Sequence, residues 1–522
     1  MMRSKIAMGF LLATTACSGG NDDGGVVVPS PTPTPTNAAP VFSSSSAASI
    51  AENSNAVFYT AAASDPEGAA VTYSLVGGAD EAQFEIASDG ALRFISPPDF
   101  RDPTDADANN VYEVAIGASD GAGTTALQLN VTVTMGNDVP PPTLRASGFT
   151  EPVQVITDGD GRGDYDIVFE RNGRVTRVYS PAGFPAPRET ILDISSTIST
   201  EGEGGLLGAA VGEYAQVIVN GRPTTCHPFY LFVTNLDGDI EIRRYCPFAD
   251  PSNRSLNTVL LRIPHRGSNV NYGGWIQLRD KQINHDVLYI GTGDGSSAGN
   301  PATVAQDPSS LLGKILRIDV GRDDFPDDPD RNYGIPAGNP FAQSGGAPEV
   351  WALGLRNPAQ GSLGPYRDSS DLNGDGFVAD HGEAREELNF VLNDRPGVNY
   401  GWPLFDGTRP YRGNDATGLM PPATEYAHGT GRREGAYVIP GVPYRYLENQ
   451  FVFADAQTGA FWTIPTARFV PGQTVPSTDY ILRRTDFIPY SGTLNGAVSF
   501  FQIYYGGLKI LDRDGDLYEM PS

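Results

Sequence analysis

Four imidazoles and a run of closely spaced carboxylates are the side chains in this chain best suited to do chemistry. His265, His285, His381 and His428 all lie in its second half, and imidazole is the group whose ordinary pKa suits proton transfer near neutral pH. His381 has the densest company, with Asp380 before it, Gly382 and Glu383 after it, and Glu386 and Glu387 just beyond. Directly upstream, Asp371, Asn373 and Asp375 put oxygens at positions 1, 3 and 5, with Gly376 at position 6. That is the first half of an EF-hand loop, where glycine permits the sharp turn. Position 12 is Gly382 instead of the bidentate Glu, so Asp380 or Glu383 would have to close the loop around Ca²⁺. The alternative is an acidic turn that needs no ion. Asp158 to Asp164 is a second, shorter acidic segment of this kind.

These groups belong to a strongly acidic chain of 522 residues, with 36 Lys+Arg against 62 Asp+Glu and a formal net charge of −26. Such a surface repels phosphate backbones and anionic lipid, which excludes nucleic acid and a polybasic membrane patch. It suits hydrated divalent cations, Ca²⁺ first, because carboxylates are its hard-oxygen ligands. The 61 Gly and 42 Pro punctuate many short apolar runs, the pattern of an all-β fold. Only three Cys are present, which excludes a disulfide scaffold and any Cys-rich zinc or iron–sulfur module. Cys226 and Cys246 flank the apolar run Phe229–Thr234. They read as a disulfide tying adjacent strands, or else as two buried thiols.

Arg3 and Lys5 precede the apolar run Ile6 to Ala16, about half the length a bilayer span needs, so residues 1–16 read as a signal peptide. Its end, Thr14-Thr15-Ala16-Cys17, resembles a bacterial lipoprotein cleavage site. The resemblance implies lipidation of Cys17 and a mature chain anchored in the bacterial cell envelope, periplasmic or surface-exposed, with the acyl chains as its membrane contact. Ordinary secretion with Cys17 discarded is the alternative. Residues 17–37, with Pro29, Pro31, Pro33 and Pro35, form an extended linker.

In residues 38–139, Leu127, Leu129, Val131 and Val133 alternate with polar residues, and Tyr112, Val114 and Ile116 repeat the pattern. Half-buried strands over about a hundred residues indicate a β-sandwich. Ala51-Glu52-Asn53, Asp65-Pro66-Glu67-Gly68, Pro98-Asp99-Phe100, Ala118-Ser119-Asp120-Gly121 and Asn137-Asp138-Val139-Pro140 resemble, in order, the landmarks of a cadherin repeat. That resemblance implies calcium half-sites, from Glu52, Asp99, Asn137 and Asp138 at one end and from Asp65, Glu67 and Asp120 at the other. Arg101 stands where an acidic ligand is usual, and no second repeat completes either half-site. A spacer with solvated carboxylates is the alternative.

Residues 143–522 hold all four Trp and all five His. Their short apolar runs are too many for one sandwich, and radial repetition in a β-propeller accommodates them without long exposed edges. Gly204-Gly205-Leu206-Leu207-Gly208, Gly273-Gly274-Trp275, the segments Leu288 to Gly295 and Ser310 to Asp319, Glu349 to Pro358, Glu386-Glu387-Leu388-Asn389 and Asn399-Tyr400-Gly401-Trp402-Pro403 follow one another here. Together they resemble the glucose/sorbosone dehydrogenase family of soluble PQQ-dependent sugar dehydrogenases and Hedgehog-interacting-protein-like relatives. The resemblance implies a six-bladed β-propeller with the quinone in a cleft at the end of its central channel.

It also implies a reaction, in which a hydride leaves the anomeric carbon of a sugar for the quinone and a proton goes to a base. The family's base, a His two residues before the Gly-Gly pair, is Asn271 here, and an amide does not titrate. His381 is the first replacement to consider, and it also stands where relatives touch the cofactor with a polar side chain. Arg356 and Asn357 match positions that contact PQQ, where a guanidinium would pair with a cofactor carboxylate. The family's calcium ligands map to Gly382, Glu383, Glu386, Glu387 and Tyr400, through carbonyls as well as carboxylates. The expectation is an envelope-anchored, PQQ- and calcium-dependent oxidation of a carbohydrate. Its rival is a catalytically silent calcium-binding propeller that recognises carbohydrate or protein, or serves adhesion.

Overall fold

The alternation at Leu127 to Val133 becomes the strand Thr124–Thr134, with Leu129, Val131 and Val133 fully buried on one face. In the computed structural model this strand pairs with Val111–Ser119 and, in parallel, with Ala47–Ala51. Thr72–Gly77 completes a four-stranded sheet, and Tyr59–Thr60, Ala91–Phe94 and Phe84–Ile86 form a smaller one. Between them Phe84, Phe94 and Tyr112 pack, Tyr112 meeting Phe94 edge-on at 5.0 Å between centroids, the arrangement that ring quadrupoles favour. The structure describes residues 37–521 apart from 101–102, 135–138, 158–164, 180–184, 213–214, 220, 248–256, 266, 283–284, 297–302, 364–375, 393, 448–449, 484–485 and 503–506. Cys17, Asn137, Asp138, Asp371, Asn373, Asp375 and the acidic segment 158–164 therefore lie outside the described residues.

From Thr143 onward the chain is all-β and propeller-like. Sheets of four or five strands, antiparallel but for one parallel pair in the fourth, succeed one another, opening in turn with Pro152–Thr157, Leu206–Val211, Gly273–Gln282, Pro358–Leu363 and Val438–Ile439. The opening strands of the first four of these sheets lie against each other in succession. They come so close that a Cβ on Gly208 would collide with the carbonyl of Gly274, which is why glycine occupies that position. A further sheet joins the two ends of this unit: Thr143–Ser147 pairs with Asp516–Met520, which continues through Leu508–Asp512 to Ala497–Gln502. Cys226 and Cys246, both buried, form a disulfide. Among the described residues no helix is long and apolar enough to cross a membrane.

Candidate functional site

The inner ends of the third and fourth sheets bring the singled-out residues together. Asn271 precedes the strand Gly273–Gln282 in a left-handed backbone conformation, φ 52°, which asparagine tolerates better than most residues. It is buried, and its amide donates to the Ser296 carbonyl at 2.6 Å and to Asp294 Oδ1 at 3.4 Å. Asp294 in turn accepts from Trp402 Nε1 at 2.8 Å. Asn271 is thus a fixed joint between loops. His265 stacks on Tyr272 at 4.2 Å between ring centroids, with Gly295 against its Nε2. Burial pushes its pKa down.

Asn357 links the two sheets. Its side-chain oxygen accepts from the Gly273 amide at 2.9 Å, its own amide donates to Asp380 Oδ1 at 2.6 Å, and its carbonyl accepts from the His381 amide at 3.2 Å. Asp380, expected to close a calcium loop, instead caps the Arg356 and Asn357 amides from inside the fold. Burial, only partly opposed by those two hydrogen bonds, raises its pKa to about 6. Burial also raises Glu387 well above the carboxylate range, aided by the charges of Asp380 and Asp406.

His381 ends the strand Gly376–His381 and faces Glu386 on its neighbour Arg385–Val391, with Nδ1 2.6 Å from Glu386 Oε2. The other carboxylate oxygen lies 2.8 Å from His428 Nε2, and the Val438 amide donates to Oε2 at 3.0 Å. Burial opposes the charge on Glu386, but the His381 ring, both histidine hydrogen bonds and the Val438 amide outweigh it and hold its pKa down. The hydrogen bond to Glu386 raises His428. His381 is 5% exposed, and its ring stacks on the partly exposed Tyr437 at 3.8 Å between centroids.

The donors expected to bind calcium are spoken for. Glu386 is held by two histidines, and Glu387 accepts hydrogen bonds from the Asn389 side chain and the Gly407 amide. The Tyr400 hydroxyl points into the core and donates to the Phe390 carbonyl. Arg356 covers the rest: Nη1 donates to the His381 carbonyl at 2.9 Å and the Gly382 carbonyl at 3.0 Å, and Nη2 to Glu383 Oε2 at 3.0 Å. Among the described residues no group of three or more His, Cys, Asp or Glu side chains could hold a metal ion. As arranged, these donors do not fit calcium. A polar organic ligand fits better, because two buried atoms of the cluster, His381 Nε2 and Arg356 Nε, have no hydrogen-bond partner.

In the N-terminal unit the expected calcium residues are engaged by the chain's own groups. Glu52 accepts from the Phe100 amide at 3.0 Å, and Asp99 lies 3.9 Å from Arg432 of the larger unit. Asp120 binds the amides of Ala122 and Gly123 and the Asn37 side chain, which lower its pKa to about 2. Asp65 caps the amides of Glu67 and Ala69, and Glu67 accepts from the Ala38 amide. Sequence reasoning assigned no role to Asp294, Ser296, Trp402 or Asp406, which receives the amides of Glu383 and Ala384. Three of the four sit in or beside segments quoted above for their resemblance, the only signal that could have drawn attention to them.

Comparison with known proteins places this site in context. The family described as Glucose / Sorbosone dehydrogenase matches residues 149–430. The HIPL2 protein of Arabidopsis thaliana is 34% identical over 199 residues, covering 34% of this chain and 27% of that protein. Aldose sugar dehydrogenase YliI of Escherichia coli (strain K12) is 25% identical over 251 residues, covering 46% of this chain and 55% of that one. The chain therefore matches only about a quarter to a half of the length of these relatives. Among solved structures, the WD40 β-propeller domain of Doa1 overlaps 73% of this chain and 97% of its own, with a TM-score of 0.34 and 11% identity.

Proposed function

Because this chain belongs to the glucose/sorbosone dehydrogenase family, we propose that it oxidises a carbohydrate at its anomeric carbon, with His381 as the proton acceptor in place of the absent imidazole at Asn271. The observation that carries this reading is the His381–Glu386 contact of 2.6 Å on one ring nitrogen, with the other, Nε2, buried and unpartnered. With Nδ1 donating to Glu386, the Nε2 lone pair is free to take a hydroxyl proton, and the carboxylate stabilises the imidazolium that results. Asn357 and the Nε edge of Arg356 would hold a PQQ cofactor, which when bound supplies the hydride acceptor. Asn271 keeps its loop in place and takes no proton.

In the same proposal the sheets from Thr143 onward form a six-bladed propeller. The smaller unit is a cadherin-like spacer, and Cys17 anchors both in the envelope. Retention of quinone absorbance by the purified chain through gel filtration, followed by dye reduction on aldoses, tests the reading. His381→Gln is expected to lower the rate ~10²–10⁴-fold, the usual worth of a general base, while quinone retention persists. A second reading, carbohydrate recognition without turnover, is favoured by the commitment of both Arg356 Nη atoms to protein oxygens. Failure to retain quinone would select it.

A further inference from the structure

A cavity of about 240 Å³ lies between the first sheet of the larger unit and the turn that follows Thr143–Ser147, and none of its lining residues belongs to the site described above. The strands Arg174–Tyr179 and Arg188–Asp193 build one side of it. Thr176 is the register partner of Thr190, so the two hydroxyls share a face of the sheet. Arg174 and Arg188 each stand two residues along their strands from these threonines and join them in the lining. Arg188 is anchored, with Nη1 on the Ser147 carbonyl and Cζ 5.6 Å from the centre of the Phe149 ring, within cation–π range. Arg174 is exposed and faces Asp193 across the ladder, feeling its charge while the Ser195 amide occupies Asp193 Oδ1 at 3.0 Å. Among the described residues the Arg174 guanidinium has no hydrogen bond or ion pair. The buried Glu170 completes the lining, its Oε1 accepting from the Thr150 amide at 2.7 Å and its Oε2 lying 3.4 Å from the Thr176 hydroxyl.

Two guanidiniums converging on one cavity are a local exception in a chain of net charge −26, and their forked donors match an oxyanion. Glu170 narrows the choice. A phosphate dianion would bring two further negative charges beside that carboxylate. A carboxylate with hydroxyl neighbours gives the arginines their single negative charge and gives Glu170, which has acceptor sites to spare, the donors it can still take. We propose that this cavity binds a small sugar acid, with its carboxylate between Arg174 and Arg188 and its hydroxyls on Thr190 and Glu170. The volume favours a single small molecule, being below the about 300–1,000 Å³ of drug-sized sites. The inference uses none of the residues invoked for sugar oxidation and holds whether or not the chain turns over a sugar. Because the cavity spans the join between the first sheet and the strand Thr143–Ser147, its ligand also stabilises that join, as any ligand of the native state does.

Isothermal titration of the full chain, free of quinone, with D-glucuronate, D-glucose and inorganic phosphate at one ionic strength tests the assignment. Glucuronate is expected to bind one equivalent, more tightly than either glucose, which lacks the carboxylate, or phosphate, which lacks the sugar hydroxyls. Arg174→Gln is expected to weaken glucuronate binding roughly ten- to a hundredfold, the usual worth of hydrogen bonds to a charged group. Thr190→Val should weaken it as well; both side chains are exposed, so one variant can stand in for the other if either fails to fold. His381→Gln should leave glucuronate binding unchanged, which separates this cavity from the inner site. No binding of glucuronate by the wild type, unaltered affinity in Arg174→Gln, or tighter binding of phosphate than of glucuronate would each overturn the proposal. So would glucuronate affinity that falls in His381→Gln and not in Arg174→Gln, since the sugar acid would then occupy the inner site.

Discussion

Glu386 sits between two imidazoles of unequal exposure, with His381 buried and the His428 side chain 33% exposed. The pKa of His428 is raised from its ordinary 6.5, first by the hydrogen bond to Glu386. A base with a raised folded-state pKa stabilises the fold fully below its unfolded pKa and stops doing so as pH climbs through the folded one. Thermal stability should therefore fall as pH rises from about 6.5, and His428→Gln should flatten that part of the profile. Differential scanning calorimetry from pH 6 to 9 checks it, and an unchanged slope in the variant would remove His428 from the account. The pairing itself was only half legible in the sequence. His381, Glu383 and Glu386 announced themselves by crowding, but nothing local says that Arg356 turns back onto the His381 and Gly382 carbonyls instead of toward a ligand.

The glycine-rich segments were readable as elements because a period of two and its interruptions are written into neighbouring residues. What each glycine makes room for was not readable. Gly208 faces the Gly274 carbonyl on the adjoining sheet, a contact between residues far apart in sequence. Gly208→Ala should force these strands apart at a cost of about 1–3 kcal/mol, the usual range for overpacking, visible as a shift of the urea midpoint without a change in slope. The Cys226–Cys246 bridge closes a loop with a sequence separation of 20. In the chain-entropy account a loop of this size is worth about 3 kcal/mol, so Cys226→Ser/Cys246→Ser should lower the unfolding free energy by that order. No loss on equilibrium denaturation would mean that the bridge is idle. Asp294 and Trp402, whose bond spans a separation of 108 residues, show why the joints of the site escaped a sequence reading: each residue looks ordinary until the fold supplies its partner.

Across the whole molecule, composition foretold an all-β chain and the internal order of motifs foretold a run of repeated sheets, because turn residues and apolar alternation recur throughout. The closing sheet was not foretold, since its strands come from opposite ends of the larger unit. Thr143–Ser147 depends on Asp516–Met520 for its ladder, so removing residues from 516 onward should leave the first strand unpaired. We expect such a truncation to lose its sharp unfolding transition and to be cleaved near residue 143 in limited proteolysis. A truncated chain that melts as sharply as the full one would mean that the ring does not need this clasp.

That clasp has a consequence for biosynthesis. The strand at Thr143 leaves the ribosome about 370 residues before the one it must pair with. At about 5–20 residues per second it waits roughly 20–75 s as an exposed edge open to any passing extended chain. The sandwich ahead of it has been synthesised by then, and its acidic residues set like-charge repulsion between nascent copies while the last sheet is still being made.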